Sequence, residues 1–362
     1  SLGLKGASGS LGDVDFELGN GATLRYIGSG ETTDRAIACG TNGTKIINFE
    51  HAGTGDLVLQ SRFSRRDYSE GVSVRFVNSS TNVLVMDCLA EYGVGLRLDA
   101  GVFEAGPNLD LRYSFGIVPP AELWVRESRE LKFLSADSYV EGNAFATVYV
   151  ADGAELTIDE LYNRWGGRVD FKLLGPNAKV TAKSFTQDAA GSQVRLNGRP
   201  AKIDAEGNLV YDETKISSYA WAFAQDGLWT DATKWLNGVP DAERPTEITA
   251  DGDDYTVLIS GTDAAVTNLT IGQSFGTATL LVTNADAVAA SLTVATNAQV
   301  TIRKGGCLTL GGDSTFTGTG IENSGTIVNV EDGGVFRTTG GTVNLCLPKK
   351  PSATSVTAYP IR

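Results

Sequence analysis

The chain has 362 residues with 41% hydrophobic and 20% charged side chains, enough to bury one large core or two smaller ones and too apolar for a disordered tail. Its formal net charge of −13 argues against nucleic acid as a partner, because phosphates would be repelled and no counterions released. No run approaches the roughly 20 apolar residues of a helical membrane span, and the 43 glycines follow no collagen period, which points to many tight turns between short strands.

In chain order, the segments "ATLRYIG" (22–28), "DLVLQSRF" (56–63), "VSVRFVN" (72–78), "NVLVMDCL" (82–89) and "GLRLDA" (95–100) alternate apolar and polar residues. "AELWVRES" (121–128), "ATVYVADGAELTI" (146–158), "RVDFKLLG" (168–175) and "AKVTAKSF" (178–185) continue the pattern. Alternation turns one face of each strand inward. Helical periodicity is nearly absent, with "IDELYNRWG" (158–166) the best candidate for a short helix. From residue 255 the strands recur mostly every 8–12 residues, as in "AQVTIRKGG" and "CLTLGG". Two or three such strands per coil make a repeat of about 20–30 residues, the range of solenoids. An immunoglobulin-like sandwich would account for about 100 residues of this spacing, not most of the chain. The expected fold is therefore all-β, a parallel β-helix or β-solenoid, in two sections.

"NGRPAKIDAEGNLVYDETKISSYAWAFAQ" (197–225) interrupts the texture and marks the junction. The expected organisation is a first β-helix section over 1–213, an aromatic junction or cap over 214–250, a second solenoid section over 251–346, and a C-terminal extension over 347–362. Trp221, Trp229 and Trp235 fall in that junction. A β-helix ends in a bare apolar cross-section that must be covered, and three large aromatics suit that task better than sugar stacking, which wants exposed rings on successive coils.

Candidate chemistry is sparse. Cys39, Cys88, Cys307 and Cys346 have no CxxC spacing, which disfavours zinc. They read either as buried small hydrophobes or as two disulfides, 39–88 and 307–346, that an exported protein could form. Acidic clusters occur at Asp159, Glu160 and Asp170, and at Asp251, Asp253 and Asp254. The second, in "TADGDDYT" (249–256), is a candidate calcium ligand set that lacks the EF-hand frame. No other cofactor is expected. The single histidine, His51, is expected in an exposed turn. "GQSFG" (272–276) has the G-x-S-x-G form, but it joins two strands where a nucleophile elbow needs a following helix. Catalysis is not expected; the alternative reading is a β-helix polysaccharide lyase or glycosidase.

"GSLGDVDFELGNGATLRYIGSGETTDRAIACGTNGTKIINFEHAGTGDLVLQSRF" (9–63) resembles the autotransporter-associated β-strand repeat proteins, exported passengers of Verrucomicrobia- and Planctomycetes-like bacteria. The likeness runs over Leu24 to Arg35 and Gly53 to Leu59, and "GLWTDATKWLNGVPDAERPTEI" (227–248) is similar to the W-x-x-x-x-N-W-x-x-G-x-P opening of related solenoids, with Lys234 in place of Asn. The resemblance implies a right-handed β-helix, an extracellular or bacterial cell-surface location and a structural or adhesive role. It supplies no catalytic residues. The expected partners are copies of the chain, joined head to tail or by strand addition from "ATSVTAYPI" in the tail, or surface glycans.

Overall fold

The computed structural model describes residues 15–346 apart from 20, 40–45, 66–70, 138–143, 165–166, 188–192, 296–297 and 320–327. The C-terminal extension 347–362 lies outside the described residues. The chain is a parallel β-solenoid of about 12 turns in two compact units, Ser1–Ile216 and Ser217–Arg362. The segment expected as a helix is the strand Glu155–Arg164. Leu156, Ile158 and Leu161 point inward from it, so the coil beneath, and not local helical spacing, sets its conformation.

In the first unit, early coils contribute one strand to each of three sheets, as in Ile37–Cys39, Ile46–His51 and Leu57–Leu59. From Arg129 onward the first of these sheets stops, and the long strands Arg129–Asp137, Glu155–Arg164 and Lys179–Gln187 run where two short ones did. Parallel in-register pairing stacks like on like inside. Leu57, Leu84, Phe103, Leu123, Val148, Phe171 and Leu196 form one continuous inward column. Each is 2% exposed or less, and full burial of such a side chain contributes about 1.5–3 kcal/mol.

The stack of this unit ends in an antiparallel meander. Asn197 (φ 49°) and Gly198 (φ 79°) make the tight turn between Gln193–Leu196 and Arg199–Ile203, and Leu209–Tyr211 follows. Two consecutive left-handed residues define the turn geometry that Asn-Gly favours in hairpins. Asn197 accepts the Leu173 N–H (2.8 Å) and donates to the Tyr211 hydroxyl (2.8 Å), which locks the meander onto the last coil.

The second unit again uses three sheets. Its core contains Val257, Leu280 and Leu308 in register, with Ile271 against Ile302 and Leu292 against Phe316. The aromatic segment 214–250 is no separate element, for most of it forms the first coil of this unit. Tyr219–Trp221 pairs in parallel with Thr246–Ile248, and Gly227–Leu228 with Val257–Leu258.

Candidate functional site

Most acidic and amide turn residues have a structural task. A side-chain oxygen at the turn of one coil accepts a backbone N–H at the matching turn of the next coil, 21 to 31 residues later. In the first unit Asp56 holds Val83 (2.8 Å), Asp87 holds Asn108 (2.5 Å), Asp152 holds Asn177 (2.9 Å) and Asp170 holds Gly198 (2.9 Å). In the second, Asp226 holds Thr256 (2.6 Å) and Asn268 holds Gln299 (2.9 Å). Each clamp satisfies a donor that the sheet ladder cannot reach, and a carboxylate makes the stronger form of the bond.

This device corrects the calcium expectation. Asp251 accepts the Ser274 N–H (2.8 Å) and Asp254 the Thr277 N–H (2.7 Å), while Asp253 faces solvent. Their carboxylates attach to two separate turn positions, and among the described residues no group of His, Cys, Asp and Glu side chains could hold a metal. Ser274 of the G-x-S-x-G string sits in a turn between two strands.

The thiols also depart from the disulfide alternative. Cys39, Cys88 and Cys307 are free and buried. Ile37–Cys39 and Leu89–Ala90 are separated in their sheet by Arg62–Arg65. Two strand spacings, about 9.5 Å, exceed the reach of a disulfide. Burial pushes the Cys39 and Cys88 thiols up to about 12. Cys307 lies 3.4 Å from the Thr309 hydroxyl; the side chain of Cys346, and with it the 307–346 pairing, lies outside the described residues.

His51 is fully buried, which overturns the exposed-turn expectation. It ends the strand Ile46–His51 in an inward column between Tyr26 and Asn78. Its ring lies 5.5 Å from that of Tyr26, and its Nδ1 accepts the Gly53 N–H (3.2 Å). Burial holds the imidazole below its ordinary range, in the neutral form. The loop texture around it hid the last strand position.

The three tryptophans at the start of the second unit are 0–5% exposed and belong to its core. Trp235 meets both Trp221 and Trp229 edge to face, with ring centroids 4.9 Å apart in each pair. The Trp235 indole donates to the Trp229 carbonyl (2.7 Å), and that of Trp221 to the Gln225 carbonyl (3.0 Å). Lys234 donates to the Gln225 side chain (3.0 Å) and the Asp226 carbonyl (2.9 Å). No face of this cluster is available to a sugar.

Among the described residues, two concavities stand out. One in the first unit, about 740 Å³, is lined by Lys183, Phe185, Arg195, Lys202, Asp212 and Lys215 among others. Lys183 pairs with Asp159 (2.5 Å) and Lys215 with Asp212 (2.9 Å), while Arg195 covers the Phe145 ring at 4.0 Å. The other, about 720 Å³ in the second unit, is a polar turn surface that includes Asp251, Gln273 and Lys304. Burial raises the carboxyls of Glu122 and Asp170, which share one outward column with Thr147 between them. Asp170 is tied to Gly198 and Lys172, and neither acid borders these concavities.

Surface aromatic pairs escaped the sequence reading. Trp124 and Tyr149 stack on successive coils at 4.4 Å, and Arg126, bonded to Glu104 (2.7 Å), lies 5.1 Å over the Trp124 ring. Their rings therefore face each other and the guanidinium. Tyr92 and Tyr113 differ. They occupy the same corner on successive coils, just before the strands Val94–Ala100 and Phe115–Ile117, and are 73% and 42% exposed. Their centroids are 5.4 Å apart at 68°, so one ring stands edge-on to the other and an open ring face is left at the surface. This corner is the candidate binding site.

Comparison with known protein families, with curated proteins and with solved structures finds no match. The fold and its site define a class: a parallel β-solenoid whose turn carboxylates bind coil to coil and whose exposed aromatic pair stands at one corner.

Proposed function

We propose that the protein is a non-catalytic β-solenoid of the cell surface or extracellular space, with a structural and adhesive role. One observation supports this reading: many turn carboxylates are engaged in holding successive coils together, as Asp87 holds Asn108 and Asp254 holds Thr277. A stack clamped in this way at many turns suits display and attachment. The likeness of residues 9–63 to exported passenger repeats supports the same reading. Beads coated with the chain should adhere to polysaccharide-bearing surfaces, and a panel of soluble polysaccharides incubated with it should gain no reducing ends and no unsaturated products. Product release in proportion to protein would overturn the non-catalytic reading, and beads that adhere no better than uncoated ones would overturn the adhesive one.

A further inference from the structure

We infer that the corner bearing Tyr92 and Tyr113 binds a neutral polysaccharide laid along the coil stack. The inference rests on the adhesive reading and names the chemistry of its partner. Tyr92 is among the most exposed large side chains described, and it sits on a turn whose geometry is imposed. Gly93 is left-handed (φ 87°), and the Arg65 guanidinium lies 2.8 Å from where a β-carbon would be. The ring is thus held outward by the backbone while Arg65 fills the space beneath the turn. On the next coil Tyr113 supplies a second ring in contact with the first.

The size of the patch argues for a narrow ligand. Two aromatic side chains bury about 150–250 Å² each, well short of the roughly 800 Å² per partner of a stable protein interface. A sugar chain one residue wide needs no more. Its ring C–H faces suit aromatic faces, and its hydroxyls suit fixed polar groups alongside. Those groups are present as ion pairs: Arg62 with Glu91 (Nε to Oε1, 2.7 Å) immediately before Tyr92, and Arg112 with Asp110 (2.9 Å) immediately before Tyr113. Each pair cancels its own charge and offers both donors and acceptors. A polyanion would meet a chain of net charge −13 with no unpaired cation in these pairs to receive it.

The corner also extends along the stack. One coil beyond Tyr113 the chain runs straight through as Arg129–Asp137, and Phe133 on that strand stacks with Tyr162 of the following coil, centroids 6.3 Å apart at 28°. Both are partly exposed. Each of these two coils thus adds a partly exposed aromatic, Phe133 in register with Glu160 and Tyr162 with Ser135, which suits a polymer rather than a single sugar.

The test is native affinity electrophoresis of the full chain through gels containing galactomannan, glucomannan, hydroxyethylcellulose or polygalacturonate. We expect retardation by at least one neutral polymer and none by polygalacturonate. Tyr92→Ala should weaken the interaction about threefold to tenfold, Tyr92→Phe should restore it, and both variants should keep the wild-type unfolding midpoint. Absence of retardation by every neutral polymer, equal retardation by polygalacturonate, or an unchanged shift in Tyr92→Ala would each overturn the inference. Beads that adhere undiminished when coated with Tyr92→Ala would leave the adhesive role standing and dispose of this site.

Discussion

Asp87 and Asn108, 21 residues apart, are joined twice: Oδ1 of Asp87 accepts the Asn108 backbone N–H at 2.5 Å and Oδ2 accepts its side-chain amide at 3.1 Å. Gln60, one coil earlier, donates to the same carboxylate at 3.1 Å. One nearly buried side chain thus fastens three coils. Asp87→Ala should destabilise the first unit by about 2–4 kcal/mol, because hydrogen bonds to a charged group are lost and buried donors are left unpaired. Asp152→Ala, which removes the equivalent clamp at an exposed turn, should cost about 1 kcal/mol or less. Urea unfolding of the two variants measures the difference, and equal losses would show that burial does not set the strength of a clamp.

Trp235 is the centre of the aromatic cluster, in contact with both other tryptophans. Trp235→Ala should destabilise the second unit by about 3–5 kcal/mol, seen as an early transition in tryptophan fluorescence. Glycan retardation at pH 7 should be unaffected in the folded variant, since the rings are buried. A selective loss of retardation with an unchanged unfolding midpoint would reassign the cluster to ligand binding.

His51 is the only histidine in the chain, which makes its titration easy to isolate. The folded imidazole has a pKa below the ordinary 6.5, so between 6.5 and that lower value the unfolded chain binds the extra proton. Stability should therefore decline as pH falls below about 6.5 and stop declining, on this account, once the folded pKa is passed. In His51→Asn, which keeps an acceptor near the Gly53 N–H, the decline over this range should be much smaller. Parallel pH profiles for the two proteins would contradict the assignment.

Cys39 and Cys88 are free, buried and held as thiols by their surroundings. Reducing agent should leave the unfolding midpoint unchanged. A thiol reagent should label neither residue in the native protein and both after denaturation. A midpoint that drops with reductant would restore the 39–88 disulfide.

The strands were legible because their signal is local. "VSVRFVN" alternates in every second residue, and Val72, Val74, Phe76 and Asn78 are the buried positions of that strand. The burial of the tryptophans was accessible for a similar reason, since three large aromatics outside the strand texture must cover something. "IDELYNRWG" misled because its apolar spacing fits a helix turn as well as a strand whose buried alternation shifts by one residue after Ile158. The turn aspartates looked like a ligand cluster because in sequence they stand side by side, whereas in space Asp251 and Asp254 each reach toward a partner more than 20 residues away.

By itself the amino-acid sequence determined the period-two strands, their turns, the coil length and hence a solenoid in two parts, since alternation and glycine spacing act over a few residues. Tertiary structure alone decided which polar side chains are occupied and which rings are exposed. His51 is buried and Tyr92 is not because register between coils, 20–30 residues apart, selects the neighbour each side chain meets. Neither outcome is written in the residues next to them.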